Sequence, residues 1–83
     1  MIVGGKNMSN NIYQLVRNNI KFYRKQKNMT QNELSEITGF SHEYIRKLES
    51  SKYCGGLSLD SLYVISKALN VPISKFMESN YEI

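Results

Sequence analysis

The 83-residue chain has few side chains of the kinds that enzymes use for catalysis. Its single histidine, His42, and its single cysteine, Cys54, have no second histidine or cysteine spaced to complete a metal site. The sequence also lacks a Ser-His-Asp set, paired acids that suggest a cleft, and a glycine-rich phosphate loop. We therefore expect no enzyme and no cofactor. The side chains of this sequence therefore suit binding through charge and hydrogen bonds.

Basic residues are concentrated in the first third of the chain. Residues 1–27 contain six basic side chains and no acid, and all seven acids lie in residues 33–82. Together with the net charge of +4, this asymmetry indicates a surface that meets an anion, with nucleic acid as the first candidate. Charge alone does not decide the matter, because many small basic proteins bind no nucleic acid.

The length predicts one domain, which we place at residues 12–78 between a flexible N-terminal tail at residues 1–11 and a C-terminal tail at residues 79–83. One cysteine excludes an internal disulfide and favours a reducing, intracellular setting. No apolar run has the length of a signal peptide or a membrane span. We therefore expect a soluble cytoplasmic protein.

The element that must position any binding residues lies at residues 30–50. Thr30 followed by Glu33 is a capping box, which predicts the start of a helix. Leu34 and Ile37 then fall on one side at helical spacing. Gly39 follows where that face ends, and a glycine with positive φ would close the helix.

A second helix is predicted directly after this glycine. Ser41 is an N-cap candidate, Glu43 lies in the first turn, and Ile45 with Leu48 forms a new apolar pair. Two short helices joined by a three-residue turn that contains glycine are typical of a helix-turn-helix.

The rest of the chain predicts supporting helices. Residues 12–25 have a 3.6-residue apolar period, formed by Ile12, Val16, Ile20 and Tyr23. Arg17, Lys21 and Lys25 are expected on another, exposed face. A glycine-containing loop at residues 51–57 precedes a helix capped by Ser58 and stopped by Asn70, and Pro72 suits the start of a short fifth helix with Ile73 and Phe76.

These residues together resemble the phage repressor and Cro type of helix-turn-helix, the Xre-like family. The matching positions are Thr30, Gln31, Leu34, Gly39, Ser41, Ile45, Leu48, Glu49, Leu62, Ile65, Ala68, Leu69 and Phe76. The resemblance implies an all-α, five-helix, lambda-repressor-like DNA-binding domain. The chain departs from the family at Ser35, where alanine is usual, at Ser51, where glycine is usual, and in a longer loop before Ser58.

The resemblance implies that the second helix of the motif, at residues 41–50, lies in the major groove and reads bases. The positions similar to the family's base readers are His42, Glu43 and Lys47, with Tyr44 and Arg46 nearby. Lysine and arginine can donate to guanine, and glutamate can accept from cytosine.

Each of these residues also has a simpler interpretation. Glu43 would stabilise a helix N-terminus, and Arg46 and Lys47 suit the last turn of a helix, whether or not DNA is bound. Tyr44 could pack against the loop, and a single histidine in a small domain is usually a surface residue.

The resemblance also implies phosphate contacts and one structural ion pair. Thr30 and Gln31 match the helix N-terminus that holds a DNA phosphate in relatives. Capping alone is the alternative for Thr30. The other phosphate candidates are Lys27, Lys52 and Tyr53. Arg24 and Glu49 match an arginine–glutamate pair that fixes the first helix against the recognition helix.

We therefore expect a regulator, most simply a repressor, that binds palindromic double-stranded DNA as a homodimer. Residues near the C-terminus are expected at the dimer surface, namely Phe76, Met77, Tyr81 and Ile83. Ordinary core packing is the alternative for them, and it suits Phe76 better than Tyr81. The alternative is an antitoxin or another protein-interaction module, which would hold a partner protein and whose DNA binding would be autoregulatory.

Overall fold

The computed structural model describes residues 5–53 and 55–79, and side chains from residue 12 onward within them. Four α-helices follow in order: α1 Gly5–Gln26, α2 Gln31–Thr38, α3 His42–Leu48 and α4 Leu59–Leu69. A 3₁₀ helix, Ile73–Met77, comes last. These residues contain no strand, so the described part of the chain is all-helical, as predicted.

The predicted count of five α-helices is not confirmed. The fifth segment closes through i to i+3 hydrogen bonds, such as Lys75 N–H to Pro72 O at 3.0 Å, and is a 3₁₀ helix. A five-residue segment that follows a proline suits this tighter helix, which proteins use in short pieces.

Helix α1 begins at Gly5, seven residues before the start that apolar spacing predicts. Backbone hydrogen bonds can extend a helix beyond the last residue of its apolar face, and residues 5–11 contain no proline to prevent it. The proposed tail at residues 1–11 therefore overlaps α1, and residues 1–4 and 80–83 lie outside the described part. The domain boundaries stay a prediction.

The helix ends of the central motif form as their capping residues predict. Thr30 N–H donates to Glu33 Oε1 at 2.8 Å, and Glu33 N–H donates to Thr30 Oγ1 at 3.0 Å, so the capping box is complete. Gly39 ends α2 with φ of 82°. Ser41 Oγ accepts from Tyr44 N–H at 3.0 Å and caps α3. Local chemistry thus fixes both ends of the turn.

One core joins α1, the two motif helices, α4 and the 3₁₀ helix. Its buried apolar residues are Val16, Ile20, Tyr23, Leu34, Ile45, Leu48, Leu62, Ile65, Leu69, Val71 and Phe76. Ile12 and Ile37, predicted on buried faces, are 39% and 58% exposed. Helical spacing fixes the direction of a side chain but does not show whether another element covers it.

Besides Arg24, two polar side chains of α1 are buried although periodicity does not predict it. Arg17, expected on the exposed face with Lys21 and Lys25, is only 3% exposed, whereas the two lysines are exposed. Asn19 is fully buried, and its Nδ2 donates to the carbonyl oxygens of Phe76 at 2.7 Å and Glu78 at 2.8 Å. Asn19 therefore ties the 3₁₀ helix to α1.

Candidate nucleic-acid interface

Helices α2 and α3 form a compact unit whose inner side is apolar. Leu34, Ile45 and Leu48 are fully buried between the helices and the rest of the core. Ser35 Oγ donates to Phe40 O in the turn at 2.6 Å, so serine is accommodated where the family usually has alanine. Because the inner side of α3 is held in this way, its outer face has a fixed orientation.

Four polar side chains project from the outer face of α3. His42, Glu43, Arg46 and Lys47 are all exposed, and their i, i+1, i+4 and i+5 spacing places them on one side of the helix. Arg46 and Glu43 approach to 4.0 Å, but their side chains are 61% and 75% exposed. Because the pair is so exposed, it contributes little to the free energy of folding, and both groups stay available to a ligand.

Tyr44 lies away from this outer face. It is half-buried, its hydroxyl donates to Ser61 Oγ at 3.1 Å, and its ring lies edge-on to Phe40 at 5.2 Å between centroids. These contacts join α3 to the beginning of α4, in keeping with packing, although the predicted packing partner was the loop. A base contact by Tyr44 is not tested and stays a prediction.

A buried ion pair ties α1 to the end of α3. The Arg24 guanidinium meets the Glu49 carboxylate at 2.7 Å and 2.8 Å, and their side chains are only 8% and 1% exposed. Arg24 Nη1 also donates to Met29 O at 2.6 Å. The pair predicted for these residues is therefore present, and its structural role stays a prediction.

The N-terminus of α2 is linked to the same carboxylate. Gln31 Nε2 donates to Glu49 Oε1 at 3.0 Å, a contact that the sequence does not predict. Thr30 Oγ1 is engaged in the cap, and Lys27 is exposed just before the helix. Phosphate binding by Thr30, Gln31 and Lys27 is not tested by these contacts and stays a prediction.

A groove separates α3 from the loop that follows it. Its lining consists of Glu43, Arg46, Lys47, Ser50, Lys52 and Tyr53. Three of these six side chains are cations and one is an acid, so the groove favours an anion. Lys52 is exposed, whereas Tyr53 is half-buried against the core. Lys52 is therefore the more accessible of the two predicted phosphate contacts in this loop.

No group of three or more histidine, cysteine, aspartate or glutamate residues in the described part of the chain could hold a metal ion. None of the helices in this part of the chain combines the length and apolar character needed to cross a membrane.

Comparison with known proteins identifies the motif. Residues 20–76 match the family described as helix-turn-helix. The chain belongs to the helix-turn-helix family. The resemblance inferred from the sequence is thus confirmed, and the chain is a DNA-binding transcription regulator of this type. One relative is the control protein C.SmaI of Serratia marcescens, 30% identical over 66 residues that cover 80% of this chain and 76% of the relative.

In this helix-turn-helix protein, the predicted base-reading residues lie together on the outer face of α3, with the exception of Tyr44. The predicted phosphate residues fall into two separate places, the start of α2 and the loop after α3. Sequence reasoning missed Arg17, whose guanidinium reaches that loop. The one available signal was its residue type, because an arginine bordering an apolar stripe can cover distant backbone with its long side chain.

Proposed function

We propose that the protein recognises a specific double-stranded DNA sequence by placing α3 in the major groove. The observation that carries this proposal is the outer face of α3, with four exposed polar side chains above a fully buried inner side. Lys47 and Arg46 would donate to guanine O6 and N7, Glu43 would accept from cytosine N4, and His42 would donate to guanine or a phosphate.

Two exposed lysines, one before and one after the motif in sequence, would hold the DNA backbone. Lys27 lies before α2, and Lys52 lies in the loop after α3. The first N–H groups of α2 and its dipole would add a phosphate site at Thr30 and Gln31. Such contacts fix the register of the protein on DNA, while α3 supplies the sequence preference.

We further propose a homodimer on a palindromic operator, and repression as its mode of action. One recognition helix contacts few base pairs, and a two-fold dimer would place two such helices one helical turn apart. A dimer bound over a promoter would block access to it. The fold would be lambda-repressor-like, with the 3₁₀ helix in the place of a fifth α-helix.

Not every residue predicted at the dimer surface is exposed. Phe76 is fully buried and cannot contribute, whereas Met77 is 43% exposed. Tyr81 and Ile83 lie outside the described residues.

We propose that the protein acts without catalysis and without a cofactor. The likeness to a protein named a control protein supports the regulatory part of the proposal.

Selection of bound sequences from a random double-stranded DNA pool tests this function. The expected result is an enriched motif with two inverted half-sites whose centres are about 34 Å apart. Enrichment of no sequence would overturn specific recognition and favour the interaction-module alternative. An enriched single half-site, with a monomer in sedimentation analysis, would overturn the dimer only.

A further inference from the structure

Arg17 is a buried cation that no described carboxylate neutralises. Its side chain reaches the loop after α3, where Nη2 donates to Tyr53 O at 2.7 Å and Nη1 donates to Gly55 O. Gln14 Oε1 accepts a further hydrogen bond from Nη2 at 3.1 Å. One guanidinium from α1 therefore holds two loop carbonyls on either side of position 54.

The same guanidinium lies against the ring of Tyr53. Arg17 Cζ is 5.2 Å from the ring centroid, and Lys47 Nζ is 5.8 Å from it. Both distances are within the range of cation–π attraction. A side chain at Gly55 would collide with the Tyr53 hydroxyl, so glycine there lets the ring fold back across the loop. The ring thus stands next to both a cation of α1 and a cation of the DNA-facing surface.

Burial of Arg17 carries a cost that argues against a purely space-filling role. Its Nε is buried and has no hydrogen-bond partner among the described residues. An apolar side chain of similar length would fill the space without stranding a donor or desolvating a charge. What the guanidinium adds is its planar fork, which can bind two carbonyls and stack on a ring together.

We propose that Arg17 is a positioning residue for base recognition. It fixes the path of the loop and the Tyr53 ring, and the ring in turn fixes the ammonium group of Lys47. The proposal rests on the proposed function of α3. It predicts that a residue remote from α3 in sequence sets the strength of one base contact.

The test compares variants of the full chain by selection from the random DNA pool. Arg17→Gln and Tyr53→Leu should lower the preference at the base pair read by Lys47 by about two- to fivefold. That base pair is defined as the one whose preference Lys47→Ala relaxes most. Tyr53→Phe, which keeps the ring, should lower this preference less than Tyr53→Leu does, whatever the loss of the hydroxyl does to affinity for all sequences. Lys21→Gln removes an exposed charge from α1 and should leave the preference at that base pair unchanged.

A second measurement needs no DNA. The ring of Tyr53 should shift the NMR signals of the Lys47 ε-methylene protons upfield, and this shift should vanish in Tyr53→Leu and shrink in Arg17→Gln. Failure of the wild-type chain to enrich any sequence would refute the proposed function, while this NMR shift would still show whether Arg17 and Tyr53 position the Lys47 side chain.

Results of three kinds would overturn the positioning role. One is an unchanged base profile in a folded Arg17→Gln variant, and another is a Lys47 shift that does not respond to either substitution. If Arg17→Gln does not fold, Arg17→Lys takes its place in this comparison, because lysine keeps the charge but not the planar fork. The third result is unfolding of both Arg17 variants together with an unchanged base profile in Tyr53→Leu, which would show that Arg17 acts in stability alone.

Discussion

Arg24 and Glu49 face each other through two hydrogen bonds, Nε to Oε2 at 2.7 Å and Nη2 to Oε1 at 2.8 Å. Glu49 is the C-cap residue of α3, where the helix dipole disfavours an acid. Arg24 from α1 and Gln31 from α2 both bind its carboxylate, so three elements meet at one side chain. This arrangement fixes α3 relative to α1 and α2.

Replacing Glu49 with glutamine should destabilise the protein strongly. The substitution keeps the shape of the side chain but leaves the buried Arg24 guanidinium without its counter-charge. Loss of one partner of a buried pair costs about 3–5 kcal/mol. Urea denaturation followed by circular dichroism would measure the free energy of unfolding.

Glu43→Gln is the matched control, because Glu43 is an acid at the other end of α3 and its side chain is 75% exposed. Its free energy of unfolding should stay within about 1 kcal/mol of wild type. A Glu49→Gln variant as stable as Glu43→Gln would refute the structural role of the ion pair.

Substitutions on α3 and at the start of α2 should affect DNA binding differently. Lys47→Ala or His42→Ala should relax the preference at one base position, at a cost of about 1–3 kcal/mol. Gln31→Ala should weaken binding to all sequences similarly, because a phosphate contact carries no sequence information. Fluorescence anisotropy on the selected site and on random DNA separates the two effects. Equal losses on both DNAs for Lys47→Ala would contradict base reading.

Binding should weaken steeply as salt is raised, because cations of the protein displace counterions from the phosphates. Lys52→Gln should reduce the slope of log K against log salt by about one. Lys75→Gln provides a control, since Lys75 is exposed on the 3₁₀ helix and lies 3.6 Å from Glu78. A wild-type affinity that does not vary with salt would favour protein binding over DNA binding.

Gly39→Ala should destabilise the motif without any steric clash. A Cβ at this position meets nothing within 4 Å, but the φ of 82° is left-handed. That conformation costs an alanine about 1–2 kcal/mol. Gly39→Asn should lose less, because asparagine tolerates this region, as Asn28 and Asn70 do here with φ of 58°. Thermal unfolding would rank the three proteins, and an alanine variant more stable than the asparagine variant would contradict this explanation.

Features that depend on neighbouring residues could be predicted from the sequence. The capping box at Thr30 and Glu33 and the left-handed Gly39 follow from residue types within one helical turn. The Arg24–Glu49 pair was predicted differently, through the resemblance to a family. No local rule links residues 25 positions apart, and only a known arrangement of helices brings them together.

Features that depend on the path of a loop could not be predicted. Arg17 has the spacing of an exposed helix residue, and it is buried because the backbone at Tyr53 and at Gly55 packs over it. Asn19 is buried because its amide binds the 3₁₀ helix, which lies near the other end of the chain. Ile37 shows the reverse case, since nothing in its spacing reveals that this apolar side chain is 58% exposed.

The short length of α3 limits the number of base pairs that one protomer can contact with it. Its seven residues span about 10 Å, which corresponds to roughly three base pairs. A three-base-pair word recurs by chance about once in 64 positions, and two such words together about once in 4,000, whereas a genome offers roughly 10⁶–10⁹ competing sites. For the proposed dimer to bind a unique site, recognition would therefore also have to depend on half-site spacing and on the deformability of the DNA between the half-sites.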